Sequence, residues 1–125
     1  MTGLRLAFFK LNVPAMPQAL EFWHTAFGFA VTQTFDEPGF LEHILVFPGQ
    51  EDGPSLMLVT YKDGREVTPG PGHGPVGLTC DDIAAAHARA ETAGARPVTG
   101  IFAVGAVKVA ILLSPDGHEI ELVEL

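Results

Sequence analysis

The sequence predicts an α+β fold made of two βαβββ modules, and three observations lead to that prediction. The order strand, helix and three strands occurs twice along the chain. Equivalent landmarks keep a nearly constant spacing, because Met16 and Ile83 lie 67 residues apart and the helix-ending Gly28 and Gly94 lie 66 apart. A proline- and glycine-rich link over 67–75, VTPGPGHGP, separates the two copies and suits neither a helix nor a regular strand.

The first module, about residues 4–62, has one predicted helix and four predicted strands. The helix is expected over 15–27, because apolar side chains recur there at helical spacing and a glycine follows. Those apolar residues are Met16, Leu20, Trp23 and Phe27. Short runs between glycine-containing turns predict the strands. They cover 4–13, 29–35, 42–48 and 54–61.

The second module, about residues 75–125, repeats this order. Asp81 or Asp82 is expected to cap its helix, which ends before Gly94. One face of that helix is small and apolar, with Ile83, Ala86, Ala90 and Ala93. The predicted strands of this module cover 75–80, 97–102, 107–113 and 119–124.

The chain ends with AILLSPDGHEIELVEL, which predicts a β-hairpin around a Ser-Pro-Asp-Gly turn. Alternation in the last strand puts Ile120 and Leu122 on one face and Glu121 on the other. His118, beside the turn, is expected to be partly exposed. A carboxylate on a sheet face that turns inward needs a metal, a cation or a proton.

Composition limits the classes of protein to consider. With 125 residues, 47% of them hydrophobic, the whole of 1–125 is expected to form a single globular domain. The net charge of -8 argues against nucleic acid and anionic membranes as partners. Apolar runs are too short for a membrane helix, and the first residues read as a strand. Cys80 is the single cysteine, so no internal disulfide forms, and a cytoplasmic protein is expected.

Three segments together resemble the vicinal oxygen chelate superfamily, which includes glyoxalase I, extradiol dioxygenases and bleomycin-resistance proteins. They are KLNVPAMPQALEFWHTAFGF, GPVGLTCDDIAAAHARAETAGA and SPDGHEIELVEL. The resemblance covers nearly the whole chain. It implies two modules whose curled mixed sheets surround a cavity, and a homodimer.

The resemblance also implies where a metal would bind, since glyoxalase I-like members use four inward side chains of the His, Gln or Glu type. The matching positions here are Phe8, Leu58, Pro75 and Glu121. Three of these side chains cannot ligate a metal, so no metal cofactor is expected. Displaced donors remain an alternative, and that set would be His73, Glu119 and Glu121.

Lys10 should point the same way as Phe8, two residues before it on the first strand. In one interpretation its ammonium neutralises Glu121 without a metal. In the other, Lys10 extends to the rim and binds nothing in particular. A mainly apolar hollow with a few polar groups is typical of a small-molecule site. The predicted ligand-binding residues are Phe8, Lys10, Leu58, Thr60, Pro75 and Glu121.

Three functions follow as hypotheses. The first is metal-independent binding of a small apolar or aromatic molecule, as the likeness to bleomycin-resistance proteins implies. The second is a lyase or isomerase in which Glu121 is the catalytic residue, either as a general base or beside a metal on displaced donors. The third is an interaction module whose hollow is filled by side chains.

Overall fold

The computed structural model of the protein describes residues 3–125, over which the chain forms two helices and nine strands. The predicted α+β class is confirmed. The elements run in the order β1 (Phe8–Asn12), α1 (Met16–Phe27), β2 (Ala30–Asp36), β3 (Phe40–Val46), β4 (Ser55–Tyr61), β5 (Val76–Cys80), α2 (Ile83–Thr92), β6 (Arg96–Pro97), β7 (Phe102–Val104), β8 (Val107–Leu113) and β9 (Glu119–Glu124). Neither helix in this part of the chain is long and apolar enough to cross a membrane.

The chain divides into two compact units. Over the described residues, one unit combines 3–20 with Gly28–Val67, and the other combines Glu21–Phe27 with Thr68–Leu125. The second half of α1 therefore belongs to the second unit. There Arg89 Nε donates a hydrogen bond to the Thr25 carbonyl at 2.8 Å, which satisfies a carbonyl in the last turn of α1.

The first unit contains a four-stranded sheet in the order β1-β4-β3-β2. β1 and β4 run parallel, and the other pairs are antiparallel. One face of this sheet contains a cluster of buried leucines, and we call it the Leu58 face. It includes Leu11, Leu45, Leu56 and Leu58, each 4% exposed or less.

The opposite face of the first sheet carries Lys10 and Glu42, and we call it the Lys10 face. The register places Lys10 beside Met57, and Glu42 between Val59 and Phe35. Alternation adds Phe8, two residues before Lys10 on the same strand. The Lys10 face is therefore defined by Phe8, Lys10, Phe35, Glu42, Met57 and Val59.

The second unit contains a five-stranded sheet in the order β5-β9-β8-β6, with β7 also paired to β8. Helix α2 packs on β8 and β9. The buried apolar face comprises Ala110, Leu112, Ile120 and Leu122, all 1% exposed or less. The other face presents Glu121 between Gly77 on β5 and Ile111 on β8, and we call it the Glu121 face. The predicted alternation of the last strand is confirmed.

Helix α2 has two acidic caps at its N-terminus, one from the residue before the helix and one from β9. The Asp82 side chain accepts from the Ala85 N–H at 3.1 Å, so of the two predicted caps, Asp81 and Asp82, the cap is Asp82. Glu124 Oε1, at the end of β9, accepts from the Ile83 N–H at 2.9 Å. Both carboxylates satisfy N–H groups that lack partners within the helix, and their charge suits its N-terminus.

The final hairpin is confirmed. Ser114 N–H donates to the His118 carbonyl at 2.8 Å, and Gly117 N–H donates to the Ser114 carbonyl at 2.9 Å. Gly117 has a φ of 94°, a conformation that favours glycine. The expected partial exposure of His118 is wrong: this residue is 5% exposed, and its N–H donates to Ser114 Oγ.

The predicted strand 97–102 is wrong as a continuous element, because the structure has the two short strands β6 and β7. Pro97 ends the pairing of β6, since it has no N–H to extend a ladder. The next two N–H groups, of Val98 and Thr99, both donate to the Ile111 carbonyl, at 2.9 and 3.1 Å. Two consecutive residues thus oppose one, as in a β-bulge, and the regular strand is interrupted.

Candidate functional site

The Lys10 face is organised around one ion pair. Lys10 Nζ lies 2.7 Å from Glu42 Oε2. The two residues come from β1 and β3, which are not neighbours, because β4 lies between them. The pair therefore spans the middle strand of the first unit, over Met57 and Val59.

The two partners of this ion pair differ in exposure. The Glu42 side chain is 9% exposed, whereas that of Lys10 is 36% exposed. Glu42 is thus a nearly buried carboxylate whose burial cost the ammonium offsets. Below the pair, Val59 is 1% exposed and Met57 is 6% exposed. The accessible end of the pair is the ammonium.

Aromatic side chains lie at both outer strands of the Lys10 face. Phe8 is 46% exposed, and its ring centroid lies 5.4 Å from Lys10 Nζ. Phe35, directly opposite Glu42, is 41% exposed. The face therefore combines exposed aromatic surface with one accessible cation, the composition that small planar molecules favour.

Leu58 and Thr60 do not lie on this face, so their predicted orientation beside Phe8 is corrected. Leu58 is fully buried on the Leu58 face, and Thr60 Oγ1 donates to the Val13 carbonyl at 2.9 Å. The reason is the two-residue period of a strand, because an error of one position moves a side chain to the other face. Met57 and Val59 take the β4 positions on the Lys10 face.

Glu121 lies on its own face of the second unit and is half-buried. Its neighbour Gly77 leaves open space, since a Cβ built there meets no atom within 4 Å. Ile111 borders it on the other side. The ion-pair partner of Lys10 is Glu42, a residue that neither interpretation of Lys10 named.

The residues at the expected metal-ligand positions do not fit a metal. Phe8 and Pro75 have no ligating side-chain atoms, and the next two β4 residues on the same sheet face, Met57 and Val59, carry a thioether and a hydrocarbon. His73 is exposed in the link, where its Nδ1 lies 2.9 Å from the Gly74 carbonyl. Over residues 3–125, no three His, Cys, Asp or Glu side chains are placed to hold a metal ion. The displaced donor set is therefore not assembled.

Two other titratable groups of the second unit have shifted pKa values. Burial raises the pKa of the Cys80 thiol, and the nearby carboxylates of Glu124 and Asp81 raise it further. Cys80 therefore stays a thiol at neutral pH and is poorly suited to nucleophilic chemistry. Burial also raises the pKa of the Asp116 carboxyl in the hairpin turn, while His118 lowers it in part.

Glu42 is the site residue that sequence reasoning missed. In FLEHILV the alternation is mixed, so neither face of β3 stood out as polar. One signal was present: Lys10 is the single Lys or Arg within the strands of the first sheet. A buried carboxylate in those strands would need that cation, but only the strand order shows which carboxylate it reaches.

Comparison with known proteins gives the same fold. The chain is 28% identical to lactoylglutathione lyase of Haemophilus influenzae, covering 91% of this chain and 87% of that protein. It is also 28% identical to the Salmonella typhimurium lactoylglutathione lyase, covering 97% and 93%. Among solved structures, Leishmania major glyoxalase I superposes with a TM-score of 0.85 at 17% identity, covering 98% of this chain and 87% of that one.

A second solved structure shows the same architecture in a longer chain. A Zea mays glyoxalase I mutant has a TM-score of 0.86 at 20% identity, covering 95% of this chain, which spans 45% of the maize chain. A family profile matches residues 5–122, nearly the whole sequence. The chain therefore belongs to the Glyoxalase/Bleomycin resistance protein/Dioxygenase superfamily.

Proposed function

We propose that this protein binds a small apolar or aromatic molecule without a metal, and that the Lys10 face is the binding surface. The observation that carries the proposal is the exposed Phe8 ring beside the accessible end of the Lys10–Glu42 pair. Aromatic surface next to a few fixed polar groups is the usual composition of a small-molecule site. The resemblance to glyoxalase I-like proteins places Phe8 at a metal-ligand position, and Phe8 offers a ring instead.

A simple aromatic probe tests this proposal. Titration of ethylnaphthalene into the full chain, followed by heteronuclear NMR, should shift resonances of Phe8, Lys10 and Met57. Resonances of Leu58 should move much less, because that side chain lies on the other face. Saturable shifts confined elsewhere, or no shifts at all, would count against the Lys10 face as the binding surface.

A second candidate function is a lyase or isomerase that uses Glu121 as a general base. Two observations favour it: the curated relatives are named lactoylglutathione lyases, and Glu121 is a half-buried carboxylate beside the open space at Gly77. A base needs access to the proton that it removes, and this position provides access. No step of this candidate uses a metal.

Direct assay of lactoylglutathione lyase activity tests the second candidate. Glu121→Gln should remove any turnover, whereas Glu119→Gln is a matched control, since Glu119 is an exposed glutamate on the same strand. Equal loss in both variants, or activity that survives Glu121→Gln, would remove Glu121 from the mechanism.

We also propose that the protein is a cytoplasmic homodimer. Several apolar side chains in and around β7 are exposed within the second unit, which is unusual for a surface that stays in water. They are Val98, Ile101, Phe102 and Val104, each at least 42% exposed. Light scattering on the purified protein should give twice the chain mass. The Phe102→Glu variant should give the mass of a monomer. A monomer mass for the native protein would contradict the proposal.

A further inference from the structure

We propose that the Lys10–Glu42 pair selects planar aromatic molecules that carry an uncharged carbonyl oxygen. This inference rests on the proposed function, because it adds a ligand class to the Lys10 face. It goes beyond apolar binding, since it requires that one hydrogen bond distinguishes between ligands of the same ring system.

The ammonium of the Lys10–Glu42 pair has hydrogen-bonding capacity left for a ligand. A lysine ammonium has three N–H donors and no acceptor. In the described part of the chain, Lys10 Nζ makes one ion pair, with Glu42 Oε2, and it lies 5.4 Å from the centroid of the Phe8 ring. Since the Lys10 side chain is 36% exposed and that of Glu42 is 9% exposed, a ligand meets N–H donors before it meets the carboxylate. The ligand must therefore bring an acceptor.

Glu42 determines which charge the ligand's acceptor can carry. Glu42 already neutralises the ammonium at 2.7 Å, so the site as a whole carries no net charge. A ligand carboxylate would add a second negative charge close to Glu42, in a chain whose net charge is -8. A neutral carbonyl oxygen can accept from Lys10 without that repulsion. Charge complementarity thus favours a ketone, ester or amide over a carboxylate.

Phe8 offers a surface on which the ring of an aromatic ligand can stack. The Phe8 ring is 46% exposed and lies 5.4 Å from Lys10 Nζ, measured at its centroid. An aromatic ring stacked on Phe8 would hold a carbonyl attached directly to it close to the ammonium. Glu42 fixes the ammonium in place, which reduces the entropy lost when the hydrogen bond to the ligand forms.

The test compares three naphthalenes substituted at the same ring carbon with an acetyl, an ethyl or a carboxylate group. The full chain should bind acetylnaphthalene about tenfold more tightly than ethylnaphthalene, because a hydrogen bond from a charged donor is added. Naphthoate should bind more weakly than acetylnaphthalene. Dissociation constants from NMR titration or calorimetry give these ratios.

Variants then assign the preference to the pair. Lys10→Met should reduce the acetyl-over-ethyl preference to within about twofold. Because that change leaves Glu42 without its cation, the double variant Lys10→Met with Glu42→Met is made as well, and it should show the same loss. Lys62→Met is the matched control, since Lys62 pairs with Asp36 in an exposed position of the same unit, and it should keep the preference.

Three results would overturn the inference: equal binding of the acetyl and ethyl probes, a preference that persists in the double variant, or tighter binding of naphthoate. Each of these leaves ethylnaphthalene binding in place, and so leaves the proposed function standing. Absence of binding by all three probes would overturn both.

Discussion

Lys10 and Glu42 form an ion pair across an intervening strand, with Nζ and Oε2 2.7 Å apart above β4. This arrangement buries the carboxylate, covers Met57 and Val59, and presents the ammonium next to the Phe8 ring. The same contact therefore contributes to the stability of the first unit and supplies the polar group of the proposed binding surface.

Removing Lys10 alone should destabilise the protein more than removing Lys10 and Glu42 together. Lys10→Met is expected to lower the free energy of unfolding by about 1–3 kcal/mol, because it leaves the nearly buried Glu42 carboxylate unpaired. The double variant with Glu42→Met should recover much of that loss, since both charges are gone. Urea denaturation followed by circular dichroism measures both values.

Lys62→Met provides the comparison for this pair. Lys62 and Asp36 are both well exposed, so Lys62→Met should change the free energy of unfolding by less than about 0.5 kcal/mol. If Lys10→Met were equally mild, the Glu42 carboxylate would be solvated in solution, against the burial described above.

Leu58 should be important for stability and unimportant for ligand binding. Its side chain is fully buried on the Leu58 face, so Leu58→Ala should cost about 2–4 kcal/mol of unfolding free energy. The variant should nevertheless bind ethylnaphthalene with an affinity within about twofold of native at temperatures where it is folded. A stable Leu58→Ala protein that no longer binds the probe would place Leu58 in the site, and the register of β4 would then be wrong.

Asp116 should make the protein less stable as pH rises from acidic values. Burial raises the pKa of Asp116 above its ordinary value of 3.8, so the folded state holds its proton at a pH where the unfolded chain has lost it. The free energy of unfolding from this group therefore falls between pH 3.8 and the raised pKa, and the ionised carboxylate remains unfavourable at neutral pH. Asp116→Asn should stabilise at neutral pH, and the gain should shrink on acidification.

Asp63 should change the stability with pH in the opposite direction to Asp116, so it serves as the control for this measurement. The hydrogen-bonded Arg65 guanidinium lowers the pKa of Asp63 to about 2, so its contribution is present at neutral pH and is lost on acidification between 3.8 and about 2. Asp63→Asn should therefore never stabilise at neutral pH. Thermal melts over a pH series, at one ionic strength, compare the two variants; parallel curves would contradict the assignment for Asp116.

The hairpin turn should depend on Gly117, whereas Gly77 should tolerate a side chain. Gly117 has a φ of 94°, so Gly117→Ala is expected to cost about 1–2 kcal/mol of unfolding free energy. Gly77 does not have a positive φ, and a Cβ there meets no atom within 4 Å, so Gly77→Ala should be nearly neutral. Equal cost in both variants would mean that the turn is not held in this conformation.

Much of the fold could be predicted because its signals are local. Helical spacing in α1, the Asp82 cap and the Ser-Pro-Asp-Gly turn all lie within a few consecutive residues. Strand limits were less accurate: β1 begins at Phe8 and not near residue 4, and the bulge after Pro97 splits one predicted strand. A bulge depends on pairing with Ile111, which is distant in sequence.

The site was harder to predict because it depends on strand order and on which face each residue occupies. Phe8 and Lys10 were assigned to one face correctly, since both lie on β1. Leu58 was placed by counting along β4, and an error of one residue reversed its face. The partner of Lys10 could not be found from spacing, since Glu42 lies two strands away in the sheet. Whether Pro75 and Glu121 contact a ligand stays a prediction.

The proposal that this protein binds small molecules without a metal can be tested by measuring metal content and ligand affinity in the same sample. The native 125-residue chain is purified without chelator, and its metal content is determined by mass spectrometry. Its affinity for ethylnaphthalene is then measured before and after dialysis against a chelator. We predict far less than one equivalent of metal per chain and the same affinity in both samples. A stoichiometric divalent metal whose removal abolishes probe binding would contradict the claim.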